Sequence, residues 1–113
     1  MASFDTASSF VTIVPYFHII DGKLEEFKAL WSAQIEKVST EEGCIFYEFS
    51  FSGNHAFCRE GYVNADAALT HFGNVGAALE EVVLYHLSFC EYFMSESSGN
   101  TGAVSGEEVG CDL

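Results

Sequence analysis

The chain has 113 residues, 49% of them hydrophobic, including 11 Phe, 5 Tyr and one Trp. That supplies one well-packed domain and excludes a separate cofactor-binding module. Four basic against 17 acidic side chains give a formal charge of −13, which excludes the Lys/Arg footprint of a nucleic-acid binder and disfavours an anionic membrane surface.

Residues 10–18, FVTIVPYFH, are aromatic and β-branched and predict a strand. Pro15 places that strand at a sheet edge, or on the side that needs no ladder bond. Asp21-Gly22 turns the chain, and Asp21 is a plausible N-cap for a helix running to about residue 40. Leu24, Phe27, Leu30, Trp31, Ile35 and Val38 make one apolar face of that helix, and Gly43 reads as its C′ residue. Residues 44–52 predict a second strand and residues 55–63 a third, joined by a hairpin through Gly53-Asn54. Asn64 or Asp66 caps a second helix over 67–72, which Gly73-Asn74-Val75-Gly76 interrupts before it continues over 77–83. Residues 84–94 predict a fourth strand. Residues 1–9 read as a flexible N-terminus, 10–94 as the folded domain, and 95–113, rich in Ser, Gly and Glu, as a disordered tail.

No run of about 18 apolar residues is present, and the first nine residues lack a basic n-region. Cys44, Cys58, Cys90 and Cys111 have no C-x-x-C spacing. The expectation is a reduced, cytoplasmic protein with neither a membrane span nor a structural metal. No G-x-G-x-x-G, P-loop or H-E-x-x-H occurs, so no cofactor and no metal are expected.

The order β-α-β-β-α-β is the ferredoxin-like α+β pattern, an antiparallel sheet with both helices on one face. In the second strand Ile45, Tyr47, Phe49 and Phe51 share one face, while Cys44, Phe46, Glu48 and Ser50 share the other. Two helices cover only one face of a sheet, so the remaining apolar surface calls for a cover. A second copy in a two-fold homodimer is the simplest one, and it would enclose an apolar cavity suited to a small ligand.

The segments GCIFYEFSF and FCREGYVNADAALTHF resemble the antibiotic biosynthesis monooxygenase (ABM) domain. The resemblance is carried by Gly43-Cys44, Tyr47-Glu48-Phe49, Glu60-x-Tyr62, Ala67-Ala68 and His71. Tyr62 stands where the family often has Trp. The resemblance implies a dimeric α/β barrel. It also implies a cofactor-independent monooxygenase acting on a small aromatic or quinone-like ligand. Other members of the superfamily degrade haem or have no known activity.

Three residues are candidates for the chemistry. His71 is a general base or a donor to a phenol or quinone oxygen. Glu60 and Tyr62 share a strand face with Cys58; Glu60 would accept a substrate proton while Tyr62 orients the ring. The bland alternatives are a packed helix histidine and an ion pair from Glu60 to Lys28. Arg59 points to the opposite face and reads as a structural ion pair, and Trp31 as core. His18 and His86 are further cavity candidates, and haem on His71 or His18 is a third functional reading after a non-catalytic ligand-binding dimer.

Overall fold

The computed structural model describes residues 10–97 and 104–110. Their order is β1 (Val11–Ile19), α1 (Leu24–Val38), β2 (Cys44–Ser52), β3 (His55–Tyr62), α2 (Ala65–Tyr85), β4 (Leu87–Ser97) and β5 (Val104–Gly110). The antiparallel sheet runs β2-β3-β1-β4-β5, with the ferredoxin-like β-α-β-β-α-β order in its first four strands.

Alternation along the strands decides which side chains meet the helices. Val11, Ile13, Pro15, Phe17 and Ile19 of β1 are buried, as are Ala56, Cys58, Glu60 and Tyr62 of β3. Phe17, Phe27, Trp31, Val82 and Leu87 anchor the main core cluster, in which Phe27 stacks on Trp31 with ring centroids 5.9 Å apart. Full burial of a ring such as Phe27 contributes about 1.5–3 kcal/mol. A smaller cluster joins Val11, Ile13, Tyr62 and Ala68.

β1 is an inner strand, not an edge. It tolerates Pro15 because its pairing with β3 skips residues 14 and 15, while the ladder to β4 continues through Pro15↔Tyr92. The cap of α1 also differs from the expectation. Lys23 occupies the N-cap without a side-chain bond, and Asp21 instead accepts from Asn54 Nδ2 at 3.3 Å. Asn64 does cap α2, its side chain accepting from Ala67 N at 2.8 Å.

Four corrections concern the second helix, the start of the fourth strand, Gly43 and the polar C-terminal stretch. α2 is one continuous helix of 21 residues. Ala68, His71, Val75, Ala78 and Val82 form an unbroken buried stripe through the supposed interruption, and that burial outweighs the cost of Gly73 and Gly76, about 1 kcal/mol each against Ala. As α2 reaches Tyr85, β4 begins at Leu87 and not at residue 84. Gly43 is not a helix terminus: α1 ends at Val38 with Ser39 as C-cap. Its lack of a side chain lets Ala67 of α2 approach, since a Cβ there would run into that of Ala67. Within the stretch expected to be structureless, β4 extends to Ser97 and β5 pairs with it from Ser97↔Val104 to Glu91↔Gly110. Strand pairing uses backbone groups, so a Ser/Gly/Glu composition does not forbid it. The expected flexible residues 1–9 lie outside the described residues.

The sheet face away from the helices is open. Tyr16, Phe46, Phe57, Phe89 and Phe93 lie there, each 37–49% exposed. Phe46 folds over Gly61, and Arg59 pairs with Glu48 through Nε at 2.6 Å. Cys44 and Cys58 are free thiols. Cys90 is disulfide-bonded, contrary to the expectation of a fully reduced chain. No helix among the described residues is long and apolar enough to cross a membrane.

Candidate functional site

His71, Glu60 and Tyr62 are brought together, on the helix-covered side of the sheet. The period-two alternation of β3 aims Glu60 and Tyr62 at α2, and the helical stripe of α2 aims His71 back at them. Their exposures are 2%, 5% and 0%, so a second sheet stacked on the open face would not line them. This corrects the expectation of a site on the dimer-facing side.

The polar groups form a connected network. Tyr62 Oη donates to Glu60 Oε1 at 2.6 Å, and His71 Nε2 stands 3.4 Å from the same oxygen. His71 Nδ1 lies 3.0 and 3.1 Å from the two oxygens of Glu41. Asn74, one turn further along α2, donates through Nδ2 to Glu41 Oε2 at 2.8 Å. On β2, Tyr47 accepts from Trp31 Nε1 at 2.7 Å, and its ring sits 5.3 Å from that of His71. Cys58 lies two residues before Glu60 on the same buried face of β3.

Burial sets the acid–base character of these groups. It pushes Glu60 up to about 7, a rise moderated by the bond from Tyr62 and by Cys58 and assisted by the Glu41 charge. Burial also lowers His71, against the opposing effect of Glu41. Tyr47, Tyr62 and Cys58 are all pushed far up, first by burial and then by the Glu60 charge, and stay protonated. The site therefore presents one carboxyl poised near neutrality beside an imidazole, within a frame of neutral donors.

Lys28 does not meet Glu60. It reaches Glu25 at 4.0 Å and the Phe51 ring at 4.9 Å. His18 lies on the open face against His55 and Phe89, with centroids 4.4 and 5.3 Å away. His86 caps α2, its Nε2 3.4 Å from Glu26. Neither joins the network. Both nitrogens of His71 face carboxylates, so axial ligation of haem iron would break one of these contacts. Glu41, Asn74 and Tyr47 are the members that sequence reasoning missed. Tyr47 could have been found from its strand face, two positions from Phe49; Glu41 sits in a polar turn and gives no such signal. A surface pocket of about 510 Å3 opens beside the network, lined by Glu41, Gly43, Ala67, Thr70 and Asn74 among others.

The chain is 37% identical to MupZ from Pseudomonas fluorescens. The match covers 74% of this chain and 69% of that one, with a TM-score of 0.65. Two structures named "putative antibiotic biosynthesis monooxygenase" share the fold over nearly the whole of both chains. One is from Caulobacter crescentus CB15, with 19% identity, coverage of 96% and 94% and a TM-score of 0.66. The other is from Nitrosomonas europaea, with 18% identity, coverage of 96% and 94% and a TM-score of 0.64. The chain belongs to the same family as MupZ and shares its fold with the two proteins named as monooxygenases. No protein-family model and no curated protein matches it. Within this ABM-like domain, the Glu60–His71 network spans β3, α2 and the α1–β2 turn.

Proposed function

We propose that the protein is a cofactor-independent monooxygenase that oxidises a small phenol or quinol. The observation that carries this reading is Glu60: a buried carboxyl pushed up to about 7, held by Tyr62 at 2.6 Å and faced by His71 at 3.4 Å. A general base works best when its pKa lies near the working pH. Glu60 takes the phenolic proton, with His71 as the neighbouring group that can share it. The resulting anion is rich enough in electrons to reduce O2 directly, and the radical pair collapses to a hydroperoxide at the ring carbon. Loss of water then leaves a quinone. One oxygen atom enters the product, the other leaves as water, and all four electrons come from the substrate. Surrounding burial keeps water from the reactive anion.

A small aromatic or quinone-like substrate is part of the same proposal, as is a homodimer in which a second copy covers Tyr16, Phe46, Phe57, Phe89 and Phe93. Incubation of the purified protein with a panel of quinols under 18O2, with no added cofactor, tests the reaction. The expected result is one O2 consumed per substrate and one labelled oxygen in the product. Binding of the quinols without oxygen uptake would replace this reading with that of a ligand-binding dimer.

A further inference from the structure

Glu41 belongs to the turn between α1 and β2, where an acidic residue would ordinarily be solvated. Its side chain is 5% exposed. Both carboxylate oxygens face His71 Nδ1, at 3.0 and 3.1 Å. Asn74 Nδ2 reaches Glu41 Oε2 at 2.8 Å and the Lys37 carbonyl at 3.3 Å. Since a backbone carbonyl only accepts, the orientation of the Asn74 amide is fixed, and Asn74 is the donor to Glu41. A carboxylate likewise only accepts, so the hydrogen between it and the ring belongs to Nδ1. That leaves the lone pair on Nε2, 3.4 Å from Glu60 Oε1. Four titratable side chains surround the imidazole: Glu41 from the turn, Tyr47 from β2, and Glu60 and Tyr62 from β3.

We propose that Glu41 is a positioning residue. It locks His71 in the Nδ1–H tautomer, so that Nε2 faces Glu60 as a proton acceptor and the three groups form a relay, Glu60 to His71 to Glu41. Glu41 and Asn74 also line the surface pocket of about 510 Å3. The relay thus runs from the buried carboxyl to the only one of its three members that borders this pocket. The inference deepens the reading of Glu60 as the acid–base group and rests on it for its catalytic meaning, though not for its geometry.

Glu41→Gln distinguishes positioning from packing. Asn74 still donates, so the Gln carbonyl oxygen turns to Asn74 and the Gln NH2 turns to Nδ1. Nδ1 then becomes the acceptor, and the ring proton moves to Nε2, where it donates to Glu60. Long-range 1H–15N spectra of 15N-His-labelled protein at pH 6.5, where Glu60 still holds its proton and the imidazole is neutral, read this directly. The expected result is a pyrrole-type Nδ1 in the wild type and a pyrrole-type Nε2 in Glu41→Gln. An Nε2–H tautomer in the wild type overturns the proposal, even if the variant fails to fold. So does an unchanged Nδ1–H tautomer in a folded variant, whatever its loss of melting temperature. The spectra need no turnover, so the expected inversion in a protein that consumes no oxygen would refute the monooxygenase reading and leave the positioning role standing.

Discussion

Glu60 carries a cost that its neighbours only partly offset. A carboxyl raised from 4.5 to about 7 is buried without penalty while it is protonated, and it must be buried as an anion once the pH passes the folded value. Its contribution to stability is fully present below about pH 4.5 and is lost as pH rises through 7. His71 acts in the opposite direction: its lowered pKa is a contribution present above the ordinary imidazole value of 6.5 and lost as pH falls. Replacing Glu60 with Gln removes the first effect alone. Chemical denaturation at pH 5 and pH 8 is expected to show Glu60→Gln gaining on the wild type, by at most about 3 kcal/mol, as pH rises across that range. A stability difference independent of pH would mean that Glu60 titrates as an ordinary surface carboxyl. Glu60 and Tyr62 were legible as sharing one strand face with Cys58 by period two, and His71 as a histidine of the second helix, but that this face lies under the helices was not. Glu41 was not: its bond to His71 spans 30 residues, and nothing in the polar turn TEEG distinguishes one Glu from the next.

At the scale of elements, periodicity was legible and punctuation was not. β2 falls at Cys44–Ser52 as its alternation and flanking turns dictate. Gly73 and Gly76 suggested a break, yet a glycine ends a helix only when the surrounding packing does not hold it. The same residue type does two different jobs here. Gly73 and Gly76 have nothing within 4 Å of a built Cβ, whereas Gly43 has Ala67 against it. Gly73→Ala and Gly76→Ala are each expected to stabilise by up to about 1 kcal/mol through helix propensity and a less disordered unfolded chain. Gly43→Ala is expected to destabilise, because α2 must shift away from β2. Thermal unfolding of the three variants checks both signs. β5 was hidden for a related reason: the residues that pair with β4 advertise no apolar alternation, and a ladder needs only backbone donors and acceptors.

The whole molecule is two-sided, with a site sealed under helices on one face and aromatic rings left on the other. Those rings and the resemblance both point to association through the open face. Light scattering at micromolar concentration is expected to give twice the mass of one chain, and Phe57→Glu or Phe89→Glu is expected to return the monomer by placing uncompensated charge in the interface. A monomeric wild type would remove the argument from the exposed rings but leave the Glu60 network untouched, because that network is complete within one chain. In the proposed reaction Glu60 takes the proton that starts the reaction with oxygen, and oxygen uptake by the wild type and Glu60→Gln, measured with one quinol from pH 5 to pH 9, tests that role. The wild-type rate is expected to rise through about pH 7 to a plateau, with the variant slower by roughly 10²–10⁴-fold on that plateau. Equal rates in the two proteins, with both folded, would contradict it.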